Sequence, residues 1–143
     1  MTDEECLARC QALARLAADR QESPVGSIVV VAGAIIGEGI EAARERRDIT
    51  AHAEVEAIRA AIGTDGTDLS LATLYTTHEP CLLCSYVIRH HRISRVVCQQ
   101  AVPHIGGASS RYPILTATDI PIWGRPPAVE YLDPRPTVPT RPA

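Results

Sequence analysis

Apolar residues first recur at helical spacing. Cys6, Leu7, Cys10, Leu13, Ala14 and Ala17 form one stripe behind Thr2-Asp3-Glu4-Glu5, which has the form of a capping box. The pattern predicts a helix over roughly 3–21, ended by Ser23-Pro24. Val25 to Val31 is then a near-continuous β-branched run, too apolar for a half-exposed strand. Ala32-Gly33 reads as a tight turn and Ala34 to Ile40 as the returning strand of a hairpin. The segment from Glu41 to Asp48 is charged and has no apolar stripe, which predicts a solvated connection with room for a helical turn. Thr50 can cap a helix over 51–62 that buries Val55, Ile58 and Ile62 and closes at Gly63 to Gly66.

The second half alternates in the same way. Ala72 to Thr77 reads as a short strand, Cys81 to His91 as a helix starting after Pro80, and Ile93 to Cys98 as a buried strand. Gln99 to Pro113 is a long loop containing Gly106-Gly107, with a short helix expected within 109–116 and a last strand over Thr118 to Trp123. Prolines at 126, 127, 134, 136, 139 and 142 then predict an extended tail. The expected organisation is one domain over 1–125 and a Pro-rich tail over 126–143. Strands and helices in this order predict a sheet with helices on both faces. The helices beginning near His52 and Cys81 would bring their N-termini to one edge of it.

Composition changes this picture in three places. Four Tyr, one Trp and no Phe leave the core to Ala, Val, Ile and Leu. The net charge of −3, with every basic residue an Arg, argues against a large nucleic-acid partner, which normally meets a basic face. Five Cys and no apolar run long enough for a membrane span or signal peptide point to a reduced, cytoplasmic setting. Cys6 and Cys10 read as small buried hydrophobes, and His90 and His91 as structural or solvated groups.

The chemistry lies in His52-Ala53-Glu54 and Pro80-Cys81-Leu82-Leu83-Cys84. One imidazole and two thiols are the ligand set of a catalytic zinc, which leaves a fourth position to water. The arrangement H-x-E…P-C-x-x-C is the pattern of zinc-dependent base deaminases. Cys81 and Cys84, three apart at a helix start, would gain thiolate character from the free amides and dipole there. Glu54, two residues from His52, cannot share its ligand direction. It is the candidate that takes a proton from water and returns it to the substrate. The alternative is a structural zinc closed by a fourth protein ligand, for which His78 and Cys98 are candidates.

Residues 24–98 resemble the cytidine deaminase-like superfamily, in particular its guanine deaminase, cytosine deaminase and tRNA adenosine deaminase branch. The resemblance rests on Pro24-Val25-Gly26, Ile36-Gly37-Glu38-Gly39, Thr50-Ala51-His52-Ala53-Glu54, Leu74-Tyr75-Thr76-Thr77, Glu79-Pro80-Cys81 and Arg92-Ile93-Ser94-Arg95-Val96-Val97. It implies a three-layer α/β/α sandwich with a mixed five-stranded sheet, bound Zn2+ and commonly a homodimer. It further implies Val25 packing on the substrate ring, the Ala53 amide bonding a ring acceptor, and Glu79 at the substrate side. Two positions depart from it. Glu41 stands where relatives usually carry Asn, so either the substrate presents an N–H there or Glu41 points away. The C-terminal side, Trp123-Gly124-Arg125-Pro126-Pro127, lacks the basic aromatic helix of relatives that act on tRNA. His104, Arg111, Tyr112 and Trp123 are candidates to close over a small ring. The leading expectation is therefore a hydrolytic deaminase of a small heterocycle, guanine- or cytosine-like, with a small-molecule partner and neither nucleic acid nor membrane. A tRNA adenosine deaminase and a non-catalytic zinc-stabilised module are the alternatives.

Overall fold

The computed structural model describes residues 1–63 and 65–132. Helix α1 (Asp3–Asp19) starts with the expected capping box: the Glu5 amide donates to Thr2 Oγ1, and the Thr2 amide to Glu5 Oε2. It ends before Ser23-Pro24, at a turn where Gln21 takes a left-handed φ of 62°. Strands β1 (Gly26–Val31) and β2 (Ala34–Ile40) form the hairpin, and Ala32 and Gly33 both take positive φ, 50° and 78°. That is the backbone of a two-residue turn whose twist suits the flanking strands.

The charged connection holds a four-residue helix, α2 (Ala43–Arg46). Its free amides are satisfied from a distance, because the buried Glu22 carboxylate accepts from the Arg44 and Glu45 amides at 3.0 and 2.7 Å. Helix α3 (Ala53–Ile62) starts later than expected, with His52 rather than Thr50 at its N-cap, because the Thr50 amide and hydroxyl both donate to Asp48. Strand β3 (Thr73–His78), helix α4 (Leu82–His90) and strand β4 (Arg95–Gln100) follow as the sequence leads one to expect.

The sheet order is β2-β1-β3-β4-β5, antiparallel through β1 and parallel from β3 to β5, so the sheet is mixed and five-stranded. Alternation along the strands divides the core between two faces. Ile28, Val30, Tyr75 and Val97 pack on Cys6, Leu7, Cys10 and Leu13 of α1. Val29, Leu74 and Val96 pack on Ala57, Ile58 and Ala61 of α3 and Ile88 of α4. This is the three-layer α/β/α sandwich. Cys6 and Cys10 are buried hydrophobes within it.

Glycine sets how close α3 comes. A Cβ at Gly39 would strike the Ala53 carbonyl and one at Gly37 the Ala57 carbonyl, so β2 can lie directly against the helix. The start of α3, where His52 sits, is thereby fixed against the sheet.

Three local expectations fail on the C-terminal side. The strand expected over Thr118 to Trp123 is instead a single 3-10 turn, Pro121–Trp123, with Pro at its start. The fifth strand, β5, is Ala128–Tyr131, past the boundary drawn at 125. Pro126-Pro127 looked like the start of a tail, yet proline is tolerated before a short edge strand. Nor does a helix form over 109–116. The Ser110 hydroxyl donates to the Gly106 carbonyl and accepts from the Tyr112 amide, competing with helical pairing. The prolines from 134 onward lie outside the described residues.

Candidate metal centre and active site

His52 is the N-cap residue of α3 and Cys81 the N-cap residue of α4, and the two helices lie side by side on one face of the sheet. Cys84 is a turn further along α4 and is buried. His52 Nδ1 lies 3.5 Å from Cys81 Sγ and 3.4 Å from Cys84 Sγ. Zinc–sulfur and zinc–nitrogen bonds at a tetrahedral angle would put N and S about 3.6 Å apart. Both nitrogen–sulfur separations are thus close to what a single zinc ion needs. Among the described residues these three form the only such group, with all ligand atoms within 4.8 Å of one another. His78 instead pairs with Thr77 at 2.9 Å, and Cys98 is buried in β4, so neither closes the set as a fourth ligand.

These contacts shift how readily the three side chains lose their protons. The Cys84 thiol hydrogen-bonds Cys81, and with His52 it pulls Cys81 down to about 4; the same interaction pushes Cys84 well up. The Cys81 hydrogen bond raises His52 to about 9. Protons on His52 and on Cys84 compete with a metal ion for the same ligand atoms. A metal needs both protons removed. Zinc affinity is expected to rise with pH between 6 and 8, with about two protons released per ion. Chelator competition across that range checks this, and a pH-independent affinity would contradict it.

Glu54 is buried beside this group. Its Oε1 accepts from Thr76 Oγ1 at 2.6 Å, and its Oε2 lies 3.3 Å from Cys84 Sγ. Burial is the largest influence on it and raises its pKa, against the hydrogen bond from Thr76. The sequence reading missed Thr76. Its only signal was a polar residue inside a strand otherwise destined for burial.

The other expected site residues divide. Ala53 is buried at the start of α3, and half-buried Val25 accepts from the Glu41 amide at 3.2 Å. The next amide, Ala42, donates to Ala51 at 2.9 Å, so Glu41 is held between Val25 and the approach to His52. Burial is the largest influence on the Glu41 carboxylate and raises its pKa, while the charge of His52 lowers it. His104 is exposed on the loop, two residues before Gly106, which pairs with Cys81.

Glu79 and Trp123 make contacts of another kind. Glu79 turns from the site into the loop that follows β4, where it accepts from the Val102, Ala108 and Ser109 amides at 2.8 to 2.9 Å and from the Ser109 hydroxyl. Burial would raise its pKa, but these donors outweigh it and the net shift is downward. Gly106 is required beside it, since a Cβ there would overlap the carboxylate. Trp123 lies toward the C-terminal end of α4, edge-on to Tyr86 with ring centroids 5.1 Å apart.

Fold and donor set together define a zinc-binding α/β protein with a buried carboxylate beside its metal ligands. The profile of the cytidine and deoxycytidylate deaminase zinc-binding region matches residues 1–100, and the chain belongs to that family. A tRNA-specific adenosine deaminase of Aquifex aeolicus is 39% identical over 103 residues, 71% of this chain and 68% of that protein. A tRNA(Ile)-lysidine synthase of Deinococcus radiodurans is 40% identical over 121 residues, 83% of this chain but 20% of its own length. The chain thus spans about a fifth of that relative. Among solved structures, one from work on A-to-I editing by tRNA:A34 deaminases at the wobble position of transfer RNA is 32% identical. It has a TM-score of 0.80 and covers 90% of this chain and 97% of that one. The guanine deaminase of Bacillus subtilis is 37% identical with a TM-score of 0.67, over 71% of this chain and 66% of that one.

These relatives overturn the exclusion of nucleic acid drawn from net charge. The physical reason is that the charge is segregated. Residues 1–79 carry seven Arg against fourteen acids, whereas Pro80 to Thr118 carries four Arg, three His and no acid. An average over the chain conceals that stretch. Among the described residues no helix is long and apolar enough to cross a membrane.

Proposed function

We propose that this chain is a zinc-dependent deaminase that converts adenosine to inosine in tRNA. The observation that carries the chemistry is the buried Glu54 beside a three-residue donor set at tetrahedral spacing. The likeness to tRNA-specific adenosine deaminases supports the substrate. Zinc held by His52, Cys81 and Cys84 would supply the Lewis acidity that makes a water nucleophilic at neutral pH. Glu54 takes both protons of the attacking water in turn, passing the first to the ring nitrogen and the second, released as the new hydroxyl becomes a carbonyl, to the departing amine, and ends as it began. Adenine plus water gives hypoxanthine plus ammonia. The Thr76 hydroxyl holds the carboxylate in one orientation throughout. Val25, just before β1, and Ala53, the first residue of α3, would line the approach to the metal group, with Glu41 as a hydrogen-bond acceptor at the rim. All five cysteines are free, which suits a reducing, cytoplasmic setting.

The test is ammonia release from an anticodon-arm RNA carrying adenosine, beside free adenosine, guanine and cytosine. Turnover of the RNA is expected to exceed that of each free compound. Turnover of guanine or cytosine with the RNA untouched would contradict the proposal.

A further inference from the structure

A second charged feature lies at the far end of α4 from the metal group. Three guanidinium groups converge on the turn from Ile122 to Arg125. Arg89, 1% exposed, donates to the carbonyls of Ile114, Leu115 and Gly124, and its Nε has no partner. Arg92 donates to the carbonyls of Ile122 and Trp123, both at 3.2 Å. Arg125 makes no side-chain hydrogen bond among the described residues, and none of the three enters an ion pair there. Carbonyl oxygens satisfy donors but leave the charge uncompensated. Beside them is a surface cleft of about 250 Å³ lined by Ser70, Arg92, Ser94, Trp123 and Arg125, with no carboxylate in its lining. Asp68 is held to Ser70 by that residue's amide and hydroxyl. The α4 C-terminus contributes about half a negative charge, which three guanidinium groups outweigh.

We infer that this cleft binds a phosphate group. Arg125 supplies a guanidinium with no side-chain partner among the described residues and Arg92 an edge already oriented by the turn, while the Ser70 and Ser94 hydroxyls at the rim already donate to Asp68 and to the Ala72 carbonyl. The uncompensated Arg89 behind Trp123, 5.3 Å from the ring centroid, adds to the potential. The nine residues of α4 separate the cleft from Cys81 by about 14 Å. A phosphate held there belongs to a nucleotide other than the reacting one, so the cleft favours a polymer over a free base. Its RNA source rests on the function proposed above; the phosphate chemistry does not.

Trp123 is the only tryptophan of the chain, so its emission reports on the cleft directly. Zinc-loaded protein is titrated with anticodon-arm RNA and, separately, with inorganic phosphate, as wild type, Arg125→Ala and Arg125→Lys. The expected result is an emission change with RNA at low concentration and with phosphate only at millimolar levels. Arg125→Ala should weaken RNA binding by about three- to ten-fold and flatten the slope of log affinity against log salt by about 0.7 to 0.9, while Arg125→Lys keeps most of both. No emission change with either ligand, or an Arg125→Ala protein equal to wild type in affinity and slope, would overturn the site. A response to phosphate with none to RNA would assign the cleft to a small phosphorylated ligand and overturn the RNA source. Inosine formation is scored separately, so its absence with RNA still bound through Arg125 would sink the deaminase reading and leave the cleft standing.

Discussion

Glu54→Gln is expected to cut turnover by about three orders of magnitude or more while the protein still binds one zinc ion. General acid–base catalysis contributes about 10²- to 10⁴-fold, and here a single carboxylate carries every proton transfer, so the loss should lie toward the upper end. The substitution is nearly isosteric. Its amide oxygen can still accept from Thr76, and its amino group can donate toward Cys84, so the surroundings of Glu54 need not rearrange. What disappears is a basic oxygen. Zinc content and inosine formation are measured on the same preparation. Loss of zinc together with activity would mean that Glu54 supports the ligands rather than the reaction. Activity within ten-fold of wild type would remove it from the mechanism.

The other large effect is on the fold. Glu79→Ala is expected to destabilise the protein by about 4 kcal/mol, because three backbone amides and a hydroxyl lose one buried carboxylate together. Glu79→Gln should recover only part of this, since its amino group would face donors. Denaturant midpoints measure both. The pH dependence has a definite sign: the folded pKa is depressed, so this contribution is present above the ordinary carboxylate range and is lost as pH falls through the lowered value. A substrate-contacting Glu79 would behave otherwise, with KM raised and the midpoint unmoved.

Glu79 also marks the limit of what the sequence can say. His52, Glu54, Cys81 and Cys84 were legible because their spacing places them at two helix starts, and a helix start fixes where a side chain goes. Glu79 lies beside Pro80-Cys81 in the chain, and adjacency suggested the same destination. Its side chain is drawn instead to unpaired amides on a loop more than twenty residues away, a demand that no local pattern displays. The packing of Trp123 on Tyr86 was illegible for a related reason: nothing in the chain said which end of α4 its turn would meet. β5 was hidden by Pro126-Pro127, and its four residues are too short and too exposed to show an apolar alternation. Glu22 carries no helical or strand signal at all, yet it completes α2 beside the approach to His52.

The net charge misled through averaging. The first 79 residues hold nearly all the acids, and the acid-free run from Pro80 to Thr118 includes the metal-binding helix and the loop that Glu79 anchors. Near a binding surface it is the local potential that a phosphate meets.

The proposed reaction is hydrolysis of an adenine amino group in RNA at the His52–Cys81–Cys84 centre. It is tested most directly by incubating zinc-loaded protein with an anticodon-arm RNA in water enriched in oxygen-18 and weighing the nucleosides after digestion. The expected result is inosine carrying one heavy oxygen at the carbon that bore the amine, formed by wild type and not by Glu54→Gln. Adenosine recovered unchanged, or inosine without the heavy oxygen, would contradict it.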